Sequence, residues 1–158
     1  MLKESFESRL WRWGGNLFPA YHRSGARIHY VAPDFHEVQI RIASNWKTRN
    51  HMGITWGGSL YSALDPIYGV MLYKLLGRKF RVIDKSANIQ FKKPGRETLF
   101  ATFRIGHQEL ADIHTALRSN AKLERSYPIE LVDGNGVVHV TCQKVLCVMP
   151  LEASSSTH

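Results

Sequence analysis

Between Gly58 and Leu76 the sequence reads G-S-L-Y-S-A-L-D-P-I-Y-G-V-M-L-Y-K-L-L, a helical segment that is apolar almost all the way round. Leu60, Ala63, Leu64, Ile67, Val70, Met71 and Leu75 fill one broad face, and Tyr61, Tyr68 and Leu72 widen it. Such a helix persists in water only if other elements cover nearly its whole circumference, so the rest of the chain has to wrap it. Gly77 gives it a C-terminal stop. Gly57 and Gly58 open it, and one carboxylate, Asp65, sits inside it, followed by Pro66.

The wrapping material is β-structure. From Arg27 to Val31 and from Glu37 to Ile42 the pattern alternates, with Ile28, Tyr30, Val38, Ile40 and Ile42 on one side and Pro33-Asp34 as a turn, which predicts a hairpin. Further strand patterns run over Arg81–Phe91, Thr98–Ile105, Arg125–Val132 and Val137–Met149. Turn chemistry falls at Lys93-Pro94-Gly95-Arg96 and Asp133-Gly134-Asn135-Gly136. A helix or irregular stretch lies between Glu109 and Asn120. Nothing alternates in the βα manner that a doubly wound parallel sheet requires. The expectation is an α+β fold, a curved antiparallel sheet of five to six strands around one long central helix.

Ahead of the hairpin, Phe6, Leu10, Trp13 and Leu17 recur at helical spacing, interrupted by Gly14-Gly15 and Pro19. This predicts a short, broken amphipathic arm that packs over the core or forms a subunit interface. The acids Glu4 and Glu7 and the glycines argue against a membrane-surface helix. One domain is expected over residues 1–150, with the arm over 1–24 and a disordered tail over 151–158.

Composition narrows the function classes. Hydrophobic residues at 44% are too many for a disordered chain. No apolar run reaches the length that spans a bilayer, and the N-terminus lacks a signal-peptide core, so a cytoplasmic protein with no membrane partner is expected. Cys142 and Cys147, on opposite faces of the last strand, form no redox or zinc motif, and no metal is expected. A net charge of +8 invites an anionic partner. The basic residues are scattered and no nucleic-acid motif accompanies them, so a soluble basic surface is favoured over a nucleic-acid face.

The segment N-H-M-G-I-T-W-G-G-S-L-Y-S-A-L-D-P (50–66) resembles the motif of phenylacetyl-CoA-type thioesterases of the hotdog superfamily. There an Asn is followed after five residues by His-Gly-Gly, then by an Asp seven residues later; Asn50, Gly57, Gly58 and Asp65 stand at those spacings. The strings at 49–66 and D-K-S-A-N-I-Q-F-K-K-P-G-R at 84–96 look most like a bacterial branch of unassigned function. Trp56 occupies the histidine's position, and an indole donates one hydrogen bond but accepts no proton.

The resemblance implies hydrolysis of an acyl-CoA or acyl-carrier thioester, with coenzyme A present only as part of the substrate and no separate cofactor. It also implies a homodimer or dimer of dimers whose site is shared across subunits. That sharing matters because Asp65 lies about 10 Å along the helix from Gly58, too far to serve the same carbonyl within one chain. In these terms the Gly58 amide, backed by the helix dipole, faces the thioester oxygen. Asp65 is general base or nucleophile, and Asn50 orients water or the carbonyl.

Each assignment has an alternative. Asp65 before Pro66 is also a helix-capping arrangement. Asn50 fits a turn cap, and Trp56 fits a ring packed over the helix start. Gly57, with Gly58, lets an anion or polarised carbonyl approach the backbone closely, and Tyr61, Tyr68 and Met71 are core or acyl-pocket wall. His51 is a substitute for the missing histidine. Lys92, Lys93 and Arg96 either pair with coenzyme A phosphates or form a solvated hairpin tip. Asp84 and Lys85 are expected to form a structural pair. A non-catalytic acyl-CoA or fatty-acyl binding module is the alternative to the enzyme.

Overall fold

The computed structural model describes residues 3–151. An N-terminal helix α1 (Phe6–Leu17) and a short α2 (Pro19–Arg23) precede the strands β1 (Ala26–Val31) and β2 (Glu37–Ile42). The central rod comes as α3 (Gly57–Leu64) and α4 (Ile67–Leu76), followed by β3 (Phe80–Phe91), β4 (Leu99–Arg104), α5 (His107–Ala116), β5 (Leu123–Val132) and β6 (Val138–Pro150). The six strands make one antiparallel sheet in the order β1-β2-β4-β5-β6-β3. The expected α+β architecture is therefore present, with β3 on an open edge. The tail expected to be disordered lies, from residue 152 onward, outside the described residues, as do residues 1–2 of the arm.

The rod is in two pieces because Pro66 has no N–H to give. Asp65 and Pro66 keep right-handed helical angles (φ/ψ −51/−54 and −82/−15), so the axis continues through the break while one turn loses its ladder bond. Asp65 N donates to Tyr61 O and Val70 N to Pro66 O on either side. Leu60, Leu64, Ile67, Met71 and Leu72 pack into the curved sheet against Ile40, Ile42, Leu99, Phe103, Leu131 and Leu146. The circumference is not fully covered: Val70 and Tyr73 are 42% and 45% exposed.

The arm departs from its sequence pattern. Gly14 and Gly15 lie inside α1, not at a break, and the helix ends at Leu17, with Phe18 as its C-cap just before Pro19. Phe6, Leu10, Trp13 and Leu17, the expected packing face, are 61–77% exposed. Ser8 is buried in their place, and Trp11 stacks edge-on against Phe35 at 5.8 Å between centroids. Polar ties decide this orientation. Glu4 takes a bidentate contact from Arg12 and accepts from Val31 N, Asn16 brackets Ile28 through its backbone O and N, and Glu7 pairs with Lys74 of α4.

Candidate functional site

Two neighbourhoods along the rod hold the residues singled out by sequence. At the start of α3, Trp56 is the N-cap in extended conformation, and its N–H bonds Thr48 O at 2.8 Å. Its ring lies so close over Gly58 that a Cβ there would meet it at 2.5 Å; a Cβ on Gly57 would meet the Phe91 ring at 3.1 Å. The two glycines thus let two aromatic rings pack against the side of the first turn of α3, where a side chain would otherwise stand. Both rings are largely exposed.

Asn50 shapes the approach to that terminus. Its side-chain oxygen accepts from Met52 N at 2.9 Å and Ile54 N at 3.4 Å, closing the 50–54 turn, which is the turn-capping alternative. His51 stands exposed at the turn's tip. The turn carrying Lys92, Lys93 and Arg96 is held beside it: Thr55 N donates to Gly95 O, and Arg49 donates to Arg96 O. Buried His139 fixes the same turn by accepting Lys92 N and Lys93 N on its carbonyl and by bonding Pro94 O through its ring. Asn50, His51, Trp56, Gly57, Gly58, Lys92, Lys93 and Arg96 are therefore gathered at one end of the rod. Beside them, Thr55 Oγ1 is buried with no hydrogen-bond partner among the described residues.

Asp65 stands at the other end of α3, in company the sequence reading missed. Its carboxylate caps no backbone N–H among the described residues, so it does not act as a helix cap. It is ion-paired with Lys144 of β6. Lys144 Nζ also reaches Asp84 Oδ1 at 3.3 Å and Tyr61 Oη at 3.4 Å. Only 1% of the lysine side chain is exposed, against 41% for Asp65 and 40% for Asp84. One buried cation thus sits beneath two half-exposed carboxylates.

The strand geometry explains the cluster. Along β6 the inward positions are Val140, Cys142, Lys144, Leu146 and Val148, so the lysine occupies a core phase. On β3 a bulge at Lys85, between the pairs Asp84–Leu146 and Ser86–Val145, changes the alternation. Asp84 before the bulge and Ala87 and Ile89 after it can then all face inward. The expected Asp84–Lys85 pair does not form: Asp84 serves Lys144, and Lys85 pairs with Glu124 of β5.

Burial works against the charge on Lys144, but the hydrogen bond and charge of Asp65, with Asp84 and Tyr61 behind them, outweigh it and hold its pKa above the usual lysine value. Burial raises Asp84, with Lys144 pulling the other way. Tyr61 is raised by burial and by its contact with Asp65. The signal for Lys144 was in the sequence: V-T-C-Q-K-V-L-C-V places a lysine in the apolar phase of a strand, which demands a buried acid nearby.

A cavity of about 710 Å³ opens beside this cluster, between α1 and the rod, with Tyr61, Ser62 and Asp65 at one end and Met71 and Lys74 further along. Tyr68 lies elsewhere, buried against Tyr127 and Phe103 at centroid distances of 4.6 and 5.0 Å. It belongs to the core.

A family model described as a domain of unknown function, DUF4442, matches residues 11–148. The chain belongs to the DUF4442 family. This DUF4442 protein is similar in structure to a Pseudomonas aeruginosa protein of unknown function, PA5026, named a "probable thioesterase". They share 21% identity over 90% of this chain and 95% of that one, with a TM-score of 0.80. It also resembles thioesterase HI1161 from Haemophilus influenzae (13% identity, 97% of each chain, TM-score 0.70). A mutant of thioesterase PA1618 from P. aeruginosa is similar too (12% identity, 96% of this chain and 100% of that one, TM-score 0.70). No curated protein matches. At these identities the likeness establishes the fold of the DUF4442 protein, the hotdog sheet wrapped on a central helix.

Proposed function

We propose that this protein hydrolyses an acyl-CoA or acyl-carrier thioester, with Asp65 as general base. The observation that carries the proposal is the placement of a half-exposed carboxylate at the end of a large apolar cavity, fixed there by a buried lysine. Lys144 holds one Asp65 oxygen, and the carboxylate, 41% exposed, is open to water from which it takes a proton. That water attacks the thioester carbon. The resulting tetrahedral oxyanion collapses to a carboxylic acid, expels the carrier thiolate, and returns the proton from Asp65 to the thiolate or to solvent.

The oxyanion needs donors, and the Gly58 amide at the start of α3 is the candidate. Since Gly58 and Asp65 lie at opposite ends of α3, the reading requires a homodimer in which one subunit's Asp65 faces its partner's helix start. The open β3 edge gives such a dimer a surface to form on. Lys92, Lys93 and Arg96, exposed beside the same helix start, suit the phosphates of coenzyme A.

Thiol release from a panel of acyl-CoAs tests this, wild type against Asp65→Asn. The variant keeps Asp84 as a charged partner for Lys144, so it should fold and lose at least about a hundredfold in kcat. Equal turnover by both proteins, or none by wild type on any chain length, ends the hydrolase reading.

A second reading is a non-catalytic acyl-CoA or fatty-acyl binding module, favoured by Trp56, whose indole cannot act as acid or base. It expects acyl-CoAs to raise the melting temperature of a protein that never releases thiol.

A further inference from the structure

The paired glycines of α1 are unexplained by anything above. Two successive glycines inside a helix weaken it, so their position asks for a reason. Gly15 has one in packing: a Cβ there would come within 2.8 Å of Ile28 Cδ1. Gly14 is different, because a Cβ on it would meet nothing within 4 Å. It is exposed, and with Gly15 it lines the 710 Å³ cavity where that cavity opens beside α1.

The cavity is built for an apolar occupant. Trp11, Ile28, Phe35 and Val38 wall one side, and Ile67 and Met71 the other. The polar side chains on its wall are Tyr61, Ser62 and Asp65, gathered within about a turn of helix, Tyr21, whose hydroxyl donates to Ala63 O beside them, and Lys74, which is already paired with Glu7. Its volume is that of a site for a small organic ligand. The wall runs along the rod from Tyr61 to Lys74, about 20 Å of helix. Largely exposed Leu10, Phe18 and Val70 also line it and mark a route to solvent. An elongated apolar space with one polar end matches a linear chain bearing one polar head.

We propose that this cavity holds the straight alkyl chain of a long-chain acyl thioester or its free acid, with the carbonyl end at Asp65 and Gly14 keeping the space beneath α1 open. The assignment of the carbonyl end rests on the hydrolase reading; the occupancy by an alkyl chain does not.

The test is displacement of a dansyl-labelled fatty acid by unlabelled straight-chain acids and acyl-CoAs of increasing length. Affinity should rise about fourfold per added methylene until the cavity is full, as expected for burial of roughly 0.8 kcal/mol per CH₂. Gly14→Leu places a better helix former where there is room for its Cβ, and its branch occupies the cavity. It should weaken binding of long chains at least about tenfold, with thermal stability equal to or above wild type. Gly14→Ala should bind as wild type does.

A flat chain-length profile in wild type overturns the proposal, and so does Gly14→Leu binding long chains normally. It is also overturned if Gly14→Leu changes only the oligomeric state, which would give the space to a second copy. Asp65→Asn separates the two readings. Length-dependent binding without hydrolysis by wild type ends the hydrolase and keeps the pocket, whereas Asp65-dependent hydrolysis with no length dependence ends the pocket alone.

Discussion

Lys144 makes the most discriminating physical prediction, because the ion cluster around it is asymmetric in exposure. Removing the cation and removing the anions should not be equivalent. In Lys144→Met a flexible apolar chain of similar length fills an inward position between Cys142 and Leu146, and the two carboxylates, each about 40% exposed, turn to water. A volume-conserving change of that kind costs about 1 kcal/mol or less. In Asp65→Asn/Asp84→Asn the lysine stays buried and loses both counter-charges. Stranding a buried charge costs about 3–5 kcal/mol. The lower end applies here, since the amide oxygens still accept its hydrogen bonds, and about 3 kcal/mol lowers the melting temperature of a chain this size by roughly 6–12 °C.

The pH dependence carries the sign. In wild type the folded-state pKa of Lys144 is raised above its ordinary 10.5, so its contribution is complete below that value and is lost only as the pH rises through the raised one. Between about pH 7 and 9.5 Lys144 contributes no slope. In the double Asn variant both counter-charges are gone and burial, the largest influence on Lys144, outweighs Tyr61 and the amide hydrogen bonds, so the folded-state pKa falls below 10.5 and the unfolded chain binds the extra proton. Stability of that variant should therefore rise with pH over the same interval. Urea unfolding at about pH 7 and about pH 9.5, for wild type, Lys144→Met and the double variant, measures all of this. Equal losses in the two variants, or a double variant with the wild-type pH slope, would refute the reasoning.

Two further outcomes follow from positions away from the cluster. Gly25 has φ +86°, and a Cβ there would lie 2.2 Å from Cγ2 of buried Thr48, so Gly25→Ala should lose about 2–4 kcal/mol in urea unfolding from strain and overpacking together; a loss under about 0.5 kcal/mol would count against the geometry. Glu109 of α5 is held below its ordinary 4.5 by hydrogen bonding to Arg125, with Tyr127 assisting, so its contribution is complete above 4.5 and lost as the pH falls toward the lowered value. Acid titration of the melting temperature should accordingly be shallower in Glu109→Gln than in wild type, and identical curves would remove Glu109 from the account.

The sheet was legible because period-two patterns with turn residues between them leave little choice, and β3 to β6 fall within two residues of where the alternation places them. Of the two expectations for the arm, packing over the core fails for the Phe6–Leu17 stripe, because helical spacing identifies a stripe but not which way it faces, whereas a subunit interface is compatible with it. In α1 the ties made by Glu4, Asn16 and Glu7 turn Phe6, Leu10, Trp13 and Leu17 outward. Asp65 stood out in the sequence as an acid in an apolar helix, yet its partner lies 79 positions away on β6. No local pattern links them. Asp84 joins only because of the bulge at Lys85, a backbone feature that alternation from one strand cannot locate.

The open edge of β3 has a consequence for any measurement on this protein. Its 12 residues are mostly exposed, and about half of their backbone donors and acceptors point away from β6. A second strand laid there would add ladder bonds and cover Ile83, now 44% exposed, but the bulge at Lys85 interrupts the run and limits the registers in which two copies can pair. Pairing of copies ties folding to mass action. Unfolding midpoints would then rise with protein concentration, and stabilities of two variants are comparable only when measured at the same dilution.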